Sequence, residues 1–357
     1  MSRDIAFLER LLDAPGPSGF EVRAARVWRE EAERFASDVR VDVSGNSFAT
    51  VNPGGGPVVM LAGHIDEIGL QVTHIDKEGF VYVAEIGGWD PQVLVGQRVT
   101  VLTKSGDVPG VIGKKAIHLL EVDERTKASK TKQLWVDLGA GDREEVAALG
   151  VRVGDPMVVA QAMIRLAGDR IASRAIDDRI GAFVVLEALR MLAADAEPPL
   201  ASATAVATVQ EEIGFQGGGA RTSAYAVNPA VAIVVDVTFS TDVPDIDKKE
   251  LGEHELGGGP VLSRGSAAHN EVFEMLAGVA EDEGLSYTIQ ASPKATRTDA
   301  DGIHLTRRGV PTGLLSVPNR YMHSPNEVVS VEDLFNTAKL IAAFVRRLGP
   351  DTDFTPR

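Results

Sequence analysis

The spacing of apolar and polar positions changes twice along the chain. Helical spacing over residues 4–13 predicts a short first helix, and a capping-box sequence at residues 18–21 predicts the start of a second. The unbroken apolar run at residues 58–62 is typical of a buried strand, which would end just before His64. The chain is therefore expected to begin with two helices followed by a core strand.

A different pattern covers residues 69–164. Short alternating strands follow one another, separated by turn sequences, and no long amphipathic helix interrupts them. The polar, charged segment 121–132 is expected to be an exposed loop. We predict a small β-barrel-like domain at residues 69–164, inserted into a main domain made of residues 1–68 and 165–357.

Helix and strand patterns alternate again after residue 165. Such alternation is typical of an α/β fold with a mixed, mostly parallel sheet and helices on both faces. The predicted elements of this part are helices over 178–192, 270–283 and from 330 onward, and strands over 203–209, 230–235, 285–291 and 311–317.

Composition narrows the chemistry and the partners. A chain of 357 residues exceeds a comfortable single core, which agrees with two domains. The absence of cysteine excludes disulfides, thiolate nucleophiles and cysteine-rich zinc sites, so histidines and carboxylates remain as metal ligands. A net charge of −15 argues against a nucleic-acid partner. The N-terminus is charged and the apolar runs are short, so we expect neither a signal peptide nor a membrane span. The protein is therefore expected to be cytoplasmic.

Two histidines and three acidic clusters form five candidate sites, and four of these directly follow an apolar run or open a helical pattern. Such positions are where α/β enzymes hold their chemistry. Two imidazoles with several carboxylates suit a pair of divalent metal ions, with one carboxylate shared and another left free as a base. The candidate residues are His64, Asp66, Asp177, Asp178, Glu211, Glu212, Asp236 and His323.

The first two clusters suggest a metal ligand with its support and a shared carboxylate. Asp66, two residues beyond His64, can accept the far imidazole N–H and orient a metal-bound histidine. Asp177 is our candidate for the bridge between two cations, with Asp178 as a supporting or capping group. The alternative for either aspartate is an ordinary helix cap.

The later clusters suggest a base, further ligands and a substrate contact. Neighbouring side chains diverge in an extended backbone, so Glu212 can bind metal while Glu211 acts as general base. Asp236 follows a predicted strand, and its position alone leaves ligand and non-ligand equally open. His323 lies in a proline-flanked segment typical of a binding loop. Asp299, in an acidic turn, is a candidate for supporting the site or binding a substrate amine.

Five motifs in this order resemble the TET-type dinuclear metallo-aminopeptidases. That family includes glutamyl and deblocking aminopeptidases, and some members have been labelled endoglucanases. The resemblance runs nearly end to end and implies a zinc-peptidase-like fold. The motifs are GHIDEIG (63–69), RAIDDRIG (174–181), VQEEIG (209–214), VVDVT (234–238) and RYMHSPNE (320–327).

The resemblance also implies how two metal ions, zinc or cobalt, would be held. Carried over position by position, it gives one ion to His64 and Asp236 and the other to Glu212 and His323. Asp177 would bridge the two ions. The family further implies a homo-oligomer, a dodecamer that dimers could build, in which the inserted domain makes subunit contacts.

We therefore expect a metal-dependent aminopeptidase that hydrolyses N-terminal residues from short peptides, with Glu211 as general base. One alternative is a related metal-dependent hydrolase, namely a dipeptidase, an amino-acid deacylase or a glycosidase. A glycosidase fits less well, because it needs two carboxylates flanking a sugar bond rather than a histidine-bearing metal pair. The other alternative is a non-catalytic metal-binding scaffold, which would have no need of Glu211.

Overall fold

The computed structural model describes residues 5–214, 218–265 and 267–356. Residue 4, where we expected the first helix to start, lies outside this part of the chain. The helices are α1 (Ala6–Asp13), α2 (Val22–Ala32), α3 (Pro91–Leu94), α4 (Arg143–Ala148), α5 (Ile176–Ala193), α6 (Gly218–Val227), α7 (Lys248–Leu251), α8 (Asn270–Asp282), α9 (Asp299–Ile303) and α10 (Val331–Arg346).

The strands fall into a large sheet, a small sheet and a barrel. In chain order they are β1 (Asp38–Val41), β2 (Ser47–Val51), β3 (Val58–His64), β4 (Gly69–Ile75), β5 (Val81–Ile86), β6 (Arg98–Thr103), β7 (Gly106–Gly113), β8 (Trp135–Asp137), β9 (Pro156–Val159), β10 (Ile164–Arg165), β11 (Arg170–Ser173), β12 (Ser202–Thr208), β13 (Val231–Phe239), β14 (Val261–Gly265), β15 (Thr288–Ser292), β16 (Thr312–Asn319) and β17 (Glu327–Ser330).

The large sheet has parallel strands at its centre. Its order over the described residues is β1-β2-β12-β3-β13-β16-β14-β15. Strand β3 pairs in parallel with β12 and β13, and β13 pairs in parallel with β16. The antiparallel pairs are β1 with β2, β2 with β12, and β14 with β16. The predicted mixed, mostly parallel sheet is confirmed, and it brings the carboxyl ends of β3, β12 and β13 to one edge.

Helices cover both faces of this sheet, as its apolar central strands require. Leu61 and Ile233 belong to the core cluster that faces α5, α8 and α10, whereas Met60 and Ala232 belong to the cluster that faces α6 and α9. Helix α5 packs against β3, β12 and β13. None of the described helices is long and apolar enough to cross a membrane.

Helix α5 approaches β3 very closely near the end of that strand. A Cβ atom on Gly63 would lie 2.4 Å from the backbone carbon of Gly181, a distance that no side chain tolerates. Glycine at position 63 therefore lets the first turn of α5 reach the next residue of β3, which is His64, while glycine at position 181 leaves room for the Asp178 carboxylate.

The barrel is closed by six antiparallel strands in the order β4-β5-β8-β7-β6-β9. It has an apolar core of its own, which includes Leu70, Val101 and Val136. These strands run from Gly69 to Val159, inside the segment 69–164 that we predicted to be inserted. The expected barrel is confirmed, while the domain limits themselves remain a prediction. The small sheet, β10-β11-β17, is antiparallel, and its strand β11 directly precedes α5 in the chain.

Candidate metal centre

Three neighbouring strands bring candidate residues to one edge of the sheet. His64 is the last residue of β3 and pairs with Thr208, the last residue of β12, so the Glu211–Glu212 pair follows directly beyond this level. Val234 pairs with Ala62, which places Asp236 level with His64. We expected Asp236 to follow its strand, but β13 continues to Phe239 because it still pairs with β16 after β3 has ended.

The Asp177 carboxylate lies between the two histidines. Its Oδ1 is 3.2 Å from Nε2 of His64 and its Oδ2 is 3.3 Å from Nε2 of His323. Nε2 of His323 is also 3.3 Å from Oε2 of Glu212, and Nε2 of His64 is 3.8 Å from Oε2 of Glu211. Burial acts to raise the pKa of Asp177, but the two imidazoles outweigh it and hold that pKa below its usual range. The fold thus brings together His64 and His323, which are 259 positions apart in the sequence.

Asp178 has different neighbours from Asp177. Ligand atoms of Asp178, His64 and Asp236 lie within 4.8 Å of one another, as do those of His64, Asp177 and Glu212. The two carboxylate oxygens of Asp178, however, accept hydrogen bonds from the backbone N–H groups of His64 and Gly181, each at 3.1 Å. Asp178 therefore ties the start of α5 to the end of β3.

Asp66 lies beside His64 and holds the glutamate pair. Its fully buried carboxylate accepts the backbone N–H groups of Glu211 and Glu212 at 3.2 and 3.1 Å, and its Oδ1 lies 3.4 Å from Nδ1 of His64. The Ser18 hydroxyl donates to the same carboxylate. The expected capping box at residues 18–21 is therefore wrong, since Ser18 bonds to Asp66 and α2 begins only after this segment.

The barrel side of the molecule also borders the site. Nδ1 of His323 donates to the carbonyl of Gly88, which follows β5, at 2.7 Å. This bond leaves Nε2 of His323 without a proton when the ring is neutral, as a metal ligand requires. Trp89 lines a small cavity together with Glu212 and His323, and its indole N–H donates to the carbonyl of Gly69 at 2.9 Å.

Asp299 is buried against Thr208, the last residue of β12, rather than placed at an open surface. It is 2% exposed, and the Thr208 hydroxyl donates to its carboxylate. Burial raises the pKa of Asp299 to about 6, although the charge of His64 acts in the opposite direction. Its negative charge in turn helps to raise the pKa of Glu211.

Four buried charged residues of the site were not assigned a role from the sequence, although each lies within a quoted motif. Glu67 forms ion pairs with Arg174 and Arg179 beneath the cluster. Glu327 accepts the backbone N–H groups of Asp177 and His323. The presence of an acid four residues after His323 was the one local signal that could have drawn attention to Glu327.

The electrostatics of the cluster show an excess of buried negative charge. Burial and neighbouring carboxylates raise the pKa of Glu211 to about 10 and also raise the pKa values of Glu212 and Asp236. Burial alone would lower the pKa of His323, but Asp177 and Glu212 raise it to about 11. Among the described residues, Oε1 of Glu212 is buried without a hydrogen-bond partner. Imidazoles together with carboxylates in excess of the positive charge around them are a donor set that fits divalent metal ions.

Comparison with known proteins gives matches that cover most of the chain. The model of the M42 glutamyl aminopeptidase family matches residues 45–340. The lysyl aminopeptidase of Pyrococcus furiosus is 36% identical over 355 residues, which cover 99% of each chain. A TET aminopeptidase from a marine sediment archaeon of the Thaumarchaeota superposes with a TM-score of 0.92 at 35% identity, covering 97% of both chains.

An assembled structure is also similar. The TET1 peptidase of Pyrococcus horikoshii, described as assembling into a tetrahedron or a large octahedral shell, gives a TM-score of 0.82 at 30% identity and covers 96% of this chain and 99% of that one. A structure of PhTET1 described as a dodecamer gives 0.84 at 30% identity, with 97% and 100% coverage. The resemblance drawn from the five motifs is confirmed.

Substitution of the two adjacent aspartates should separate their roles. Asp177→Asn replaces a carboxylate that faces both imidazoles with a neutral amide and should lose divalent ions. Asp178→Asn should keep the ions but lower the free energy of unfolding by about 1–3 kcal/mol, because one backbone N–H loses its acceptor. Elemental analysis after dialysis and urea unfolding measure the two effects. Retention of ions by Asp177→Asn with their loss from Asp178→Asn would reverse the assignment.

Proposed function

Since the chain belongs to the M42 glutamyl aminopeptidase family and is therefore an aminopeptidase, we propose that it releases single residues from the free N-termini of short peptides. In this proposal the reaction takes place at a centre of two divalent ions. The observation that carries this proposal is the position of Asp177, whose two oxygens face Nε2 of His64 and Nε2 of His323 at 3.2 and 3.3 Å. A carboxylate held between two imidazoles is suited to be shared by two ions.

The donor set suggests how the ions are divided. In this proposal His64 and Asp236 hold one ion, Glu212 and His323 hold the other, and Asp177 is shared. The register of β3 and β13 supports the first pair, and the 3.3 Å contact between Glu212 and His323 supports the second. Imidazole and carboxylate ligands suit zinc or cobalt. When bound, the ions supply Lewis acidity that lowers the pKa of water and polarises the scissile carbonyl.

Glu211 is proposed as the general base. Its side chain is 16% exposed, and Oε2 lies 3.8 Å from Nε2 of His64, so it stands beside the ligands and can reach an attacking water. Burial and neighbouring carboxylates raise the pKa of Glu211, and the positive charge of bound ions would lower it again. Its carboxylate would then take a proton from that water and deliver it to the leaving nitrogen. Asp66 keeps Glu211 in place through the backbone N–H and orients His64 from behind.

Asp299 is proposed to favour the ammonium group of the substrate. Because its carboxylate is buried and already accepts the Thr208 hydroxyl, it would act through its charge rather than by direct contact. A negative charge close to Glu211 attracts a protonated amine and discriminates against a blocked N-terminus. This role remains consistent with exopeptidase cleavage.

Glu211→Gln tests the assignment of the base. The substitution preserves shape and ligands, so both ions should remain bound, while the rate of hydrolysis should fall by about two to four orders of magnitude because the proton acceptor is lost. Glu212→Gln is the matched neighbour and should lose an ion instead. Metal analysis and steady-state kinetics on an aminoacyl p-nitroanilide give both readouts. Near-normal activity in Glu211→Gln would remove Glu211 from the mechanism.

The cleavage pattern tests the activity itself. A free peptide should give a ladder of products that differ by one residue, and the same peptide with an acetylated N-terminus should stay intact, because acetylation removes the positive charge. A mass-spectrometric time course with and without EDTA measures both. Acetylated amino acids, dipeptides and cellulose serve as substrates for the alternative hydrolases. Internal cuts, or equal turnover of the acetylated peptide, would contradict the proposal.

Assembly is proposed to follow the TET1 relatives, whose structures are described as a dodecamer, a tetrahedron or a large octahedral shell. Residues 69–164 would contribute subunit contacts. The support is that Ile117, Leu119 and Val122, on the segment between β7 and β8, are exposed apolar side chains. Sedimentation of the intact chain should give a particle of twelve chains of 37.9 kDa each. A monomer at micromolar concentration would contradict this.

A further inference from the structure

The Glu327 side chain connects two segments that carry candidate metal ligands. It is the first residue of β17 and is 2% exposed. Its Oε2 accepts the backbone N–H of Asp177 at 3.0 Å, and its Oε1 accepts the backbone N–H of His323 at 2.9 Å. One buried carboxylate thus fixes the main chain of two residues that are far apart in sequence.

Neither segment has regular helical or strand geometry at this point. Asp177 lies in the first turn of α5, but its φ of −73° and ψ of 111° are not helical. His323 has a φ of +59° in the turn after β16, and Ala175, two residues before Asp177, has a φ of +58°. Both values lie in the left-handed region, which costs free energy for residues other than glycine and requires support from the surroundings. Glu327 supplies such support, since it satisfies one N–H group in each segment.

The contact that Glu327 preserves is the one between Oδ2 of Asp177 and Nε2 of His323, at 3.3 Å. The His64 side of the cluster is held by other groups, namely Asp66 and Asp178. Loss of the Glu327 bonds would therefore disturb His323 most. Asp177 is shared by both ions, but its neighbour Asp178 still ties it to the backbone of His64, so the ion on the His323 side should be affected more. A change in the affinity of one ion only would distinguish a positioning role from a general loss of stability.

We propose that Glu327 is a positioning residue that sets the affinity of the ion on the His323 side of the centre, an inference that rests on the proposed two-ion function. Its carboxylate needs both oxygens for this task. A glutamine in its place offers one oxygen as acceptor and turns an NH₂ group toward the other N–H. Supporting residues of this kind contribute a factor of about 10–100 to metal affinity.

The chain contains a matched control in Asp333. This residue is also fully buried, and its two oxygens accept the backbone N–H groups of Gly257 and Gly259 at 2.7 and 2.9 Å. Asp333→Asn therefore removes one acceptor from a buried pair of the same kind, but none of its bonds reaches a candidate ligand. Both variants should lose comparable stability, and only Glu327→Gln should change metal binding.

The experiment is a calorimetric titration of the metal-free proteins with Zn²⁺, together with urea unfolding. The wild-type chain should bind two ions. Glu327→Gln should weaken one of them by about 10–100-fold and leave the other within about twofold, while Asp333→Asn should bind both as the wild type does. Adding Glu327→Gln to a His323→Ala chain should have little further effect, because the affected ion is already lost. Glu327→Asp, which keeps the charge but shortens the reach, gives the same selective loss if the glutamine variant does not fold.

The outcomes separate this inference from the function on which it rests. A wild-type chain that binds one ion or none would contradict the two-ion centre itself. A wild-type chain that binds two ions, with Glu327→Gln binding both unchanged, would overturn the role of Glu327 alone. Equal weakening of both ions in Glu327→Gln and in Asp333→Asn would also overturn it, because the effect would then be general loss of stability.

Discussion

Negative charge buried at one edge of the sheet is the constraint on which the rest of the structure depends. Asp177, Glu211, Glu212 and Asp236 converge where β3 and β12 end beside β13, in surroundings that raise the pKa values of three of them. Buried carboxylates of this kind are costly unless cations or hydrogen-bond donors offset their charge. The two imidazoles supply part of that compensation, and the donor set is suited to divalent ions for the remainder.

A second set of acids keeps this edge in shape. Asp66, Asp178 and Glu327 each accept two backbone N–H groups, and each bonds to the main chain of a residue that carries a candidate ligand or the candidate base. The carboxylates of the site therefore fall into two kinds, those that face the space between the histidines and those that hold peptide groups. Substitutions in the two kinds have different consequences, because the first changes binding and the second changes geometry.

Much of the fold could be predicted from the chain, because its core strands are continuous apolar runs and its barrel strands alternate. Most of the residues that meet at the sheet edge were also recognisable, since they follow a predicted strand or open a predicted helix, whereas His323 lies in a turn after β16. The continuation of β13 past Asp236 was not, because it depends on pairing with β16, which is distant in sequence. The hairpin of β1 and β2 was missed as well, since its strands are short and lie at the sheet border.

Roles that depend on backbone hydrogen bonds could not be predicted from local sequence patterns. The sequence around Ser18 predicts a helix cap, whereas in the structure the Ser18 hydroxyl donates to Asp66. Asp177 and Asp178 are adjacent acids of the same type, and only their surroundings distinguish them. Glu327 acts on two segments that no sequence spacing connects. Each of these assignments requires the relative placement of residues between 48 and 150 positions apart, or the direction of a side chain at a helix start.

The most direct test of the two-ion centre is anomalous X-ray diffraction from crystals grown with zinc, measured on both sides of the zinc absorption edge. Two anomalous peaks should appear in each subunit, one near His64 and Asp236 and one near Glu212 and His323, with the Asp177 carboxylate between them. A single peak, or two peaks bridged by Asp178 with Asp177 turned away, would contradict the arrangement proposed for this protein.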